Sequence, residues 1–227
     1  MFTTAGDFER VAEALDACAP RFSADERRLA RALYRELSAG DPVPVERLAV
    51  RLGLSAVRIA ELLKGKHLGS LVYHDKEDAV IGFGGLAIVP MHHELRVNGR
   101  KLYAWCAWDS LFLPRVLDAT ARVESPCPET GERVRLTVSP ERVEVEAGTE
   151  PVISFVLPEP ETFEGDTSGT LASFCHHVFF FANPAAGADW TSSHPGTFLL
   201  TIDQAFQLGR RLTDRRGLSV EKGGEWG

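Results

Sequence analysis

The sequence predicts an α+β fold: a winged-helix-like helical unit over residues 1–83, then a mostly antiparallel β-sheet domain with flanking helices over residues 84–227. Three observations carry this expectation. Apolar residues recur at helical spacing through residues 6–65, they alternate along short runs from Gly85 onward, and Gly, Pro and Asn residues punctuate those runs. At 227 residues and 44% apolar, the chain is long enough to bury a substantial core, as one large domain or as one domain with a small appendage.

The first helix is expected over residues 6–19, where Phe8, Val11, Leu15 and Cys18 form one stripe and Cys18 reads as a small buried apolar residue. The second opens with Ser23 and Glu26 in capping-box spacing and runs through Leu29, Leu33 and Leu37 to a stop at Ala39-Gly40. Residues 43–65 read as two short helices around a turn at Gly53, the second starting at a Ser55 cap. Alternating residues 71–83 around a turn at 74–78 complete the pattern of a helix-turn-helix with a wing. Strands are expected at 86–89 and 94–97. Asn98-Gly99 then signals a hairpin, because both positions tolerate positive φ, and KLYAW returns from it. Further strand material lies at 134–138, 143–145 and 152–157, between turns at 129–131 and at Ser139-Pro140. The acidic, Pro/Gly-rich stretch 158–170 is expected as a mobile surface loop, and SFCHHVFFFAN as an apolar strand or buried segment. A last amphipathic helix is expected at 203–212, followed by a frayed tail, EKGGEWG.

The formal charge of -7 opposes binding to phosphate backbones and anionic membranes. A DNA-binding role for the helix-turn-helix would need a basic recognition helix, whereas SAVRIAELLKG offers Arg58 and Lys64 with Glu61 between them. A structural role for the unit is the expectation, and no nucleic acid is expected as a partner. No apolar run approaches the ~20 residues of a membrane span, and MFTTAGDFER lacks a signal peptide's basic start, so a cytoplasmic location is expected. There Cys18, Cys106, Cys127 and Cys175 would be thiols, and none forms a CxxC pair of the kind that structural zinc uses.

The chemistry centres on LYAWCAWDS. A helix beginning after Cys106 and reaching a kink or stop at Pro114 would set the thiol near a helix N-terminus, where free amides and the macrodipole favour a thiolate. Cys106 and Asp109, at i and i+3, then share a face: a ligand for a soft metal beside a proton carrier, with Trp105 and Trp108 able to exclude water. The same spacing also fits a buried cysteine beside an ordinary N-terminal helix aspartate. In His92-His93 and His176-His177, strand neighbours point to opposite faces, so neither pair can enter one site together, and packed histidines are the simpler reading.

LYAWCAWDSLFLP, TARVESPCPETGERVRLTVSP, SFCHHVFFFAN and DWTSSHPG, in this order, closely resemble the organomercurial lyase (alkylmercury lyase) family. The resemblance runs nearly continuously over residues 85–212 and is weaker over the N-terminal helices. It implies that residues 84–227 are the catalytic domain and that the carbon–mercury bond is cleaved by protonolysis, giving a hydrocarbon and Hg(II). By resemblance Cys106, Cys175 and Asp109 are the catalytic residues and the ligands of substrate and product mercury, while Cys127 is structural. The resemblance implies no dissociable cofactor; a cytosolic thiol, or the dithiol of a mercuric reductase, would remove the ion. His176 stands where some members carry a further cysteine. Two other readings remain open: a thiol-based metal sensor that contacts DNA through the helix-turn-helix, and a passive metal-binding protein without turnover.

Overall fold

The computed structural model describes residues 5–159, 162–163 and 166–219. The expected tail EKGGEWG, and residues 160–161 and 164–165 of the acidic stretch, lie outside the described residues.

Four helices lead: α1 (Ala5–Cys18), α2 (Ala24–Leu37), α3 (Val45–Leu52) and α4 (Ala56–Leu63). The cap signals act as expected. Ser23 Oγ accepts from the Glu26 amide while the Glu26 carboxylate accepts from the Ser23 amide, so two otherwise unsatisfied donors at the start of α2 are paired. Gly53 takes the left-handed conformation (φ 65°) that ends α3, and Ser55 caps α4. Cys18 is half-buried rather than buried, with its sulfur 3.6 Å from the Pro158 carbonyl oxygen, because it lies on the last turn of α1.

An eight-stranded antiparallel sheet follows, built from β1 (Val72–His74), β2 (Val80–Phe83), β3 (Leu86–Ala87), β4 (His93–Val97), β5 (Arg100–Ala104), β6 (Ala121–Pro126), β7 (Arg133–Val138) and β8 (Val143–Val145). Its spatial order is β1-β2-β3-β5-β4-β6-β7-β8. The hairpin between β4 and β5 turns on Asn98 and Gly99, both at positive φ (49° and 78°), which matches the right-handed twist of its strands. The paired part of the expected strand 86–89 ends at Ala87.

Between β5 and β6 lies α5 (Asp109–Val116), which starts later than expected; of the kink or stop expected at Pro114, the stop is not seen, and the helix runs on through it. Proline lacks an N–H but tolerates helical φ; here the chain continues for one further half-turn and closes with the Leu117 amide on the Leu113 carbonyl.

A second, three-stranded antiparallel sheet has β9 (Val152–Val156) between β10 (Phe180–Phe181) and β11 (Thr197–Thr201). Two helices here were not expected. The end of the presumed loop 158–170 forms α6 (Thr167–Ser173), capped by Asp166 and anchored by the Thr167 and Thr170 hydroxyls, which donate to the Val72 and Ser70 carbonyls. Asn183 caps α7 (Pro184–Ser193), whose proline sits in the first turn, where its missing N–H costs nothing. Cys175 lies not on a strand but in a 3₁₀ turn, Cys175–His177. The chain closes with α8 (Ile202–Arg215), opened by a Thr201–Gln204 capping box.

One apolar core runs from Val11 of α1 through α2, the large sheet and α5 to Leu218 beyond α8. A smaller cluster holds Cys127 with Val152, Phe181, Ala186, Trp190 and Leu199.

Candidate active site

Three separate pieces of chain meet behind α5. The first is the loop after β5: the Trp105 amide donates to the Gly85 carbonyl at 2.8 Å, and the Ala107 amide to the Val178 carbonyl at 3.1 Å. The second is the 3₁₀ turn carrying Cys175, held from behind by β9, where Ser154 Oγ donates to the His177 carbonyl at 2.8 Å. The bond from Ala107 to Val178 ties the two cysteine-bearing segments together. The third piece is the Gly84-Gly85 turn, with both residues at positive φ (49° and 95°).

The sulfurs of Cys106 and Cys175 and a carboxylate oxygen of Asp109 thereby lie within 4.8 Å of one another, all three residues buried. Asp109 opens α5, and its Oδ2 accepts the Cys106 amide at 2.8 Å, so the carboxylate is aimed at its partner cysteine. The carboxylate also presses on Gly85: a Cβ there would stand 2.5 Å from Oδ1. Glycine at 85 is thus required twice, by its φ and by this approach.

The three groups perturb one another. Burial pushes the Asp109 pKa up to about 6, partly offset by the hydrogen bonds from Cys106 and by the positive charge of Arg216. Burial, then Cys175 and Asp109, push Cys106 well above the ordinary thiol range. For Cys175 a hydrogen bond from Cys106 lowers the value, but burial and Asp109 outweigh it. The expected thiolate at a helix N-terminus is therefore corrected: Cys106 precedes α5, is fully buried beside a carboxylate, and rests as a neutral thiol. Its proton lies within hydrogen-bonding reach of both the Cys175 sulfur and the Asp109 carboxylate.

Asp109 and Cys175 open on a small pocket walled by Trp105, Trp108, Phe112, Phe163 and Phe174, with Leu15 of α1 and Arg216 at the end of α8 also facing it. Trp108 is fixed by donating Nε1–H to the Ala205 carbonyl at 2.9 Å and by edge-on contacts with Phe112, Phe155 and Phe174. Both tryptophans thus form the wall that the sequence suggested. Tyr34, Gly84 and Arg216 were not singled out from the sequence. Tyr34 donates to the Gly84 carbonyl at 2.8 Å, and a Cβ on Gly84 would meet its hydroxyl at 2.3 Å. A Gly-Gly doublet at positive φ was the only available signal.

The histidines stay outside. His176 is exposed and His92 is exposed, while His93 is buried, shares a hydrogen bond with Ser125 Oγ at 2.8 Å and is held neutral, burial taking its pKa down to about 3. Cys127 sits in its own apolar cluster, its amide and carbonyl closing the turn to Glu132 and Gly131.

A model of the family described as "Alkylmercury lyase" matches residues 86–214. The chain is 38% identical over 187 residues to the alkylmercury lyase of Staphylococcus epidermidis, covering 82% of each chain. It belongs to the alkylmercury lyase family. Other members show the same closeness: the alkylmercury lyase of Bacillus cereus is 38% identical over 188 residues (82% of this chain, 81% of that one), and that of Pseudomonas putida 37% over 183 (81% and 82%). A solved structure, the mercury-bound form of MerB2, shares the fold with a TM-score of 0.74 at 22% identity, covering 93% of this chain and 99% of that one. The family match begins at Leu86 and so contains Cys106, Asp109 and Cys175, while Gly84, Gly85 and Arg216, which also line the pocket of this alkylmercury lyase family member, fall on both sides of its limits.

Proposed function

We propose that Cys106, Cys175 and Asp109 are the residues with which this organomercurial lyase breaks the carbon–mercury bond, by protonolysis, to a hydrocarbon and Hg(II). The observation that carries the reading is the meeting of the local pair Cys106 and Asp109 with the sequence-distant Cys175, within 4.8 Å of one another beside a largely apolar pocket. Mercury(II) takes sulfur in preference to oxygen or nitrogen, and two sulfur donors stabilise the ion as it parts from carbon. The atoms balance without a cofactor. An organomercury thiolate, RHg–SR′, exchanges R′S⁻ for the two cysteine sulfurs, which lose two protons; one leaves with R′S⁻ as R′SH and the other reaches the carbon through Asp109. The products are RH, R′SH and Hg(II) on two sulfurs, with Asp109 back in its starting state. A carboxyl with a pKa near 6 suits both halves of that relay at neutral pH. An external thiol or the dithiol of a mercuric reductase would then take the ion from the buried pair.

Residues 1–83 fit a winged-helix-like unit whose work is structural: Leu15 faces the pocket and Tyr34 holds Gly84. On α4, Arg58 is already engaged by Asp25 and Glu61, which speaks against a metal sensor that uses this helix on DNA. A cytoplasmic setting agrees with the dependence on thiols, and among the described residues no helix is long and apolar enough to cross a membrane.

The deciding experiment supplies methylmercury or phenylmercury with excess thiol and measures methane or benzene. Wild type should release hydrocarbon, and Cys106→Ser or Cys175→Ser should each reduce release to background. Normal release by either variant would remove that cysteine from the mechanism; Hg binding without hydrocarbon in wild type would leave a passive binder.

A further inference from the structure

Arg216 lines the same pocket from the end of α8, among aromatic and aliphatic side chains, and although Asp109 and Tyr34 feel its charge, its guanidinium makes no hydrogen bond or ion pair among the described residues. Its Nε is buried without a hydrogen bond, the guanidinium stands over the Phe22 ring at 5.9 Å, and although it faces the same pocket as Asp109 it forms no ion pair with it. A half-buried cation with a buried, unpaired Nε carries a desolvation cost, and its planar fork of donors matches a carboxylate. Beyond its influence on Asp109, the proton relay above gives it no task.

The lyase reading supplies the missing anion. An alkylmercury ion never travels bare: in a thiol-rich medium its second ligand is a thiolate, and that ligand enters the pocket with the metal and must leave when the cysteines take over. We infer that Arg216 is a docking site for a carboxylate borne by this carrier thiol, so that the substrate recognised is the organomercury complex of a carboxylated thiol rather than the free ion. The inference rests on the lyase reading. Arg216 would hold the carrier's far end while its sulfur is exchanged, and would release it as the neutral thiol with its carboxylate still ionised.

The test compares kcat/KM for methylmercury supplied with one thiol at a time in excess: mercaptoacetate (anionic), 2-mercaptoethanol (neutral) or cysteamine (cationic). Wild type should prefer the mercaptoacetate complex over the neutral one by about tenfold, with the cationic one poorest. In Arg216→Met the ratio of anionic to neutral should fall to about one, and Arg216→Lys should restore part of it. Dividing the wild-type ratio by that of Arg216→Met cancels differences in thiol reactivity, and the three-thiol series in wild type needs no variant to fold. Hydrocarbon release with no carrier preference, or a preference that survives Arg216→Met, would overturn the inference and leave the lyase reading intact. No release from any complex would remove both. A further arm compares phenylmercury with 4-carboxyphenylmercury in 2-mercaptoethanol: an Arg216-dependent preference for the second, without one for mercaptoacetate, would assign the carboxylate to the organic group and overturn the carrier assignment.

Discussion

Asp109 shows how one residue is set between two demands. In the proposed relay its carboxylate must be ionised to accept a proton from a thiol, yet burial favours the neutral form and takes its pKa from 3.8 to about 6. Because the folded pKa lies above the unfolded one, the folded state keeps a proton that the unfolded state releases between about pH 4 and 6; stability is lost as pH rises through that window and stays lost at neutral pH. A shift of that size corresponds to at most ~3 kcal/mol. Asp109→Asn keeps an acceptor for the Cys106 amide and removes the charge, so it should raise stability at pH 7 by about 1–3 kcal/mol but not at pH 4, as read by urea unfolding at the two pH values. The same variant should release no hydrocarbon. In wild type, kcat/KM should fall about tenfold per pH unit below about 6, as the acceptor becomes protonated. Of the three site residues, Cys106 and Asp109 were legible as a pair because their spacing is local. Cys175 was not: no pattern around SFCHH says which distant loop it meets, and only resemblance supplied it. Arg216 carried no signal at all, since a lone arginine at a helix end reads as solvated.

Among the elements, α5 and α8 set the position of the acid. They pack closely because Gly209 of α8 has no side chain: a Cβ there would stand 2.8 Å from the Phe112 Cβ and 3.5 Å from the Trp108 Nε1. Neither neighbour can move cheaply, since Trp108 is bonded to the Ala205 carbonyl and boxed by three phenylalanine rings. Gly209→Ala should therefore destabilise the fold by about 1–3 kcal/mol, despite alanine's better helix propensity, and lower kcat by shifting Asp109. Thermal melts and the hydrocarbon assay check the two parts; a raised Tm would show that the helices separate without strain. Helices with their own caps and stripe, such as α2 and α4, were readable from sequence. α6 was not, because TSGTLAS has no apolar stripe and is held by two threonine hydroxyls bonded to a different part of the chain. α7 had a usable signal in Asn183-Pro184, a cap followed by a first-turn proline, that outweighs its weak amphipathic pattern.

Across the whole molecule, the leading helices and the sheet share one core, and β1 and β2 lie at one end of the same sheet that carries β5 into the site. Arg211 and Arg215 of α8 also meet Asp16 of α1, joining the two ends of the chain, though such pairs near the surface add little each. Residues 1–83 and 84–227 should consequently unfold together. Calorimetry should give one transition with equal van't Hoff and calorimetric enthalpies, and two resolved transitions would show that the helical unit melts independently.

The resting state of the two sulfurs has a chemical consequence. Kept uncharged by burial, they should be slow to react with peroxide or with foreign disulfides, because it is the thiolate that attacks these oxidants. The protein can pass through an oxidative episode with its reactive atoms unspent. In the proposed reaction, what wakes them is a visitor that expels the hydrogens itself, and few ions hold sulfur tightly enough to do so.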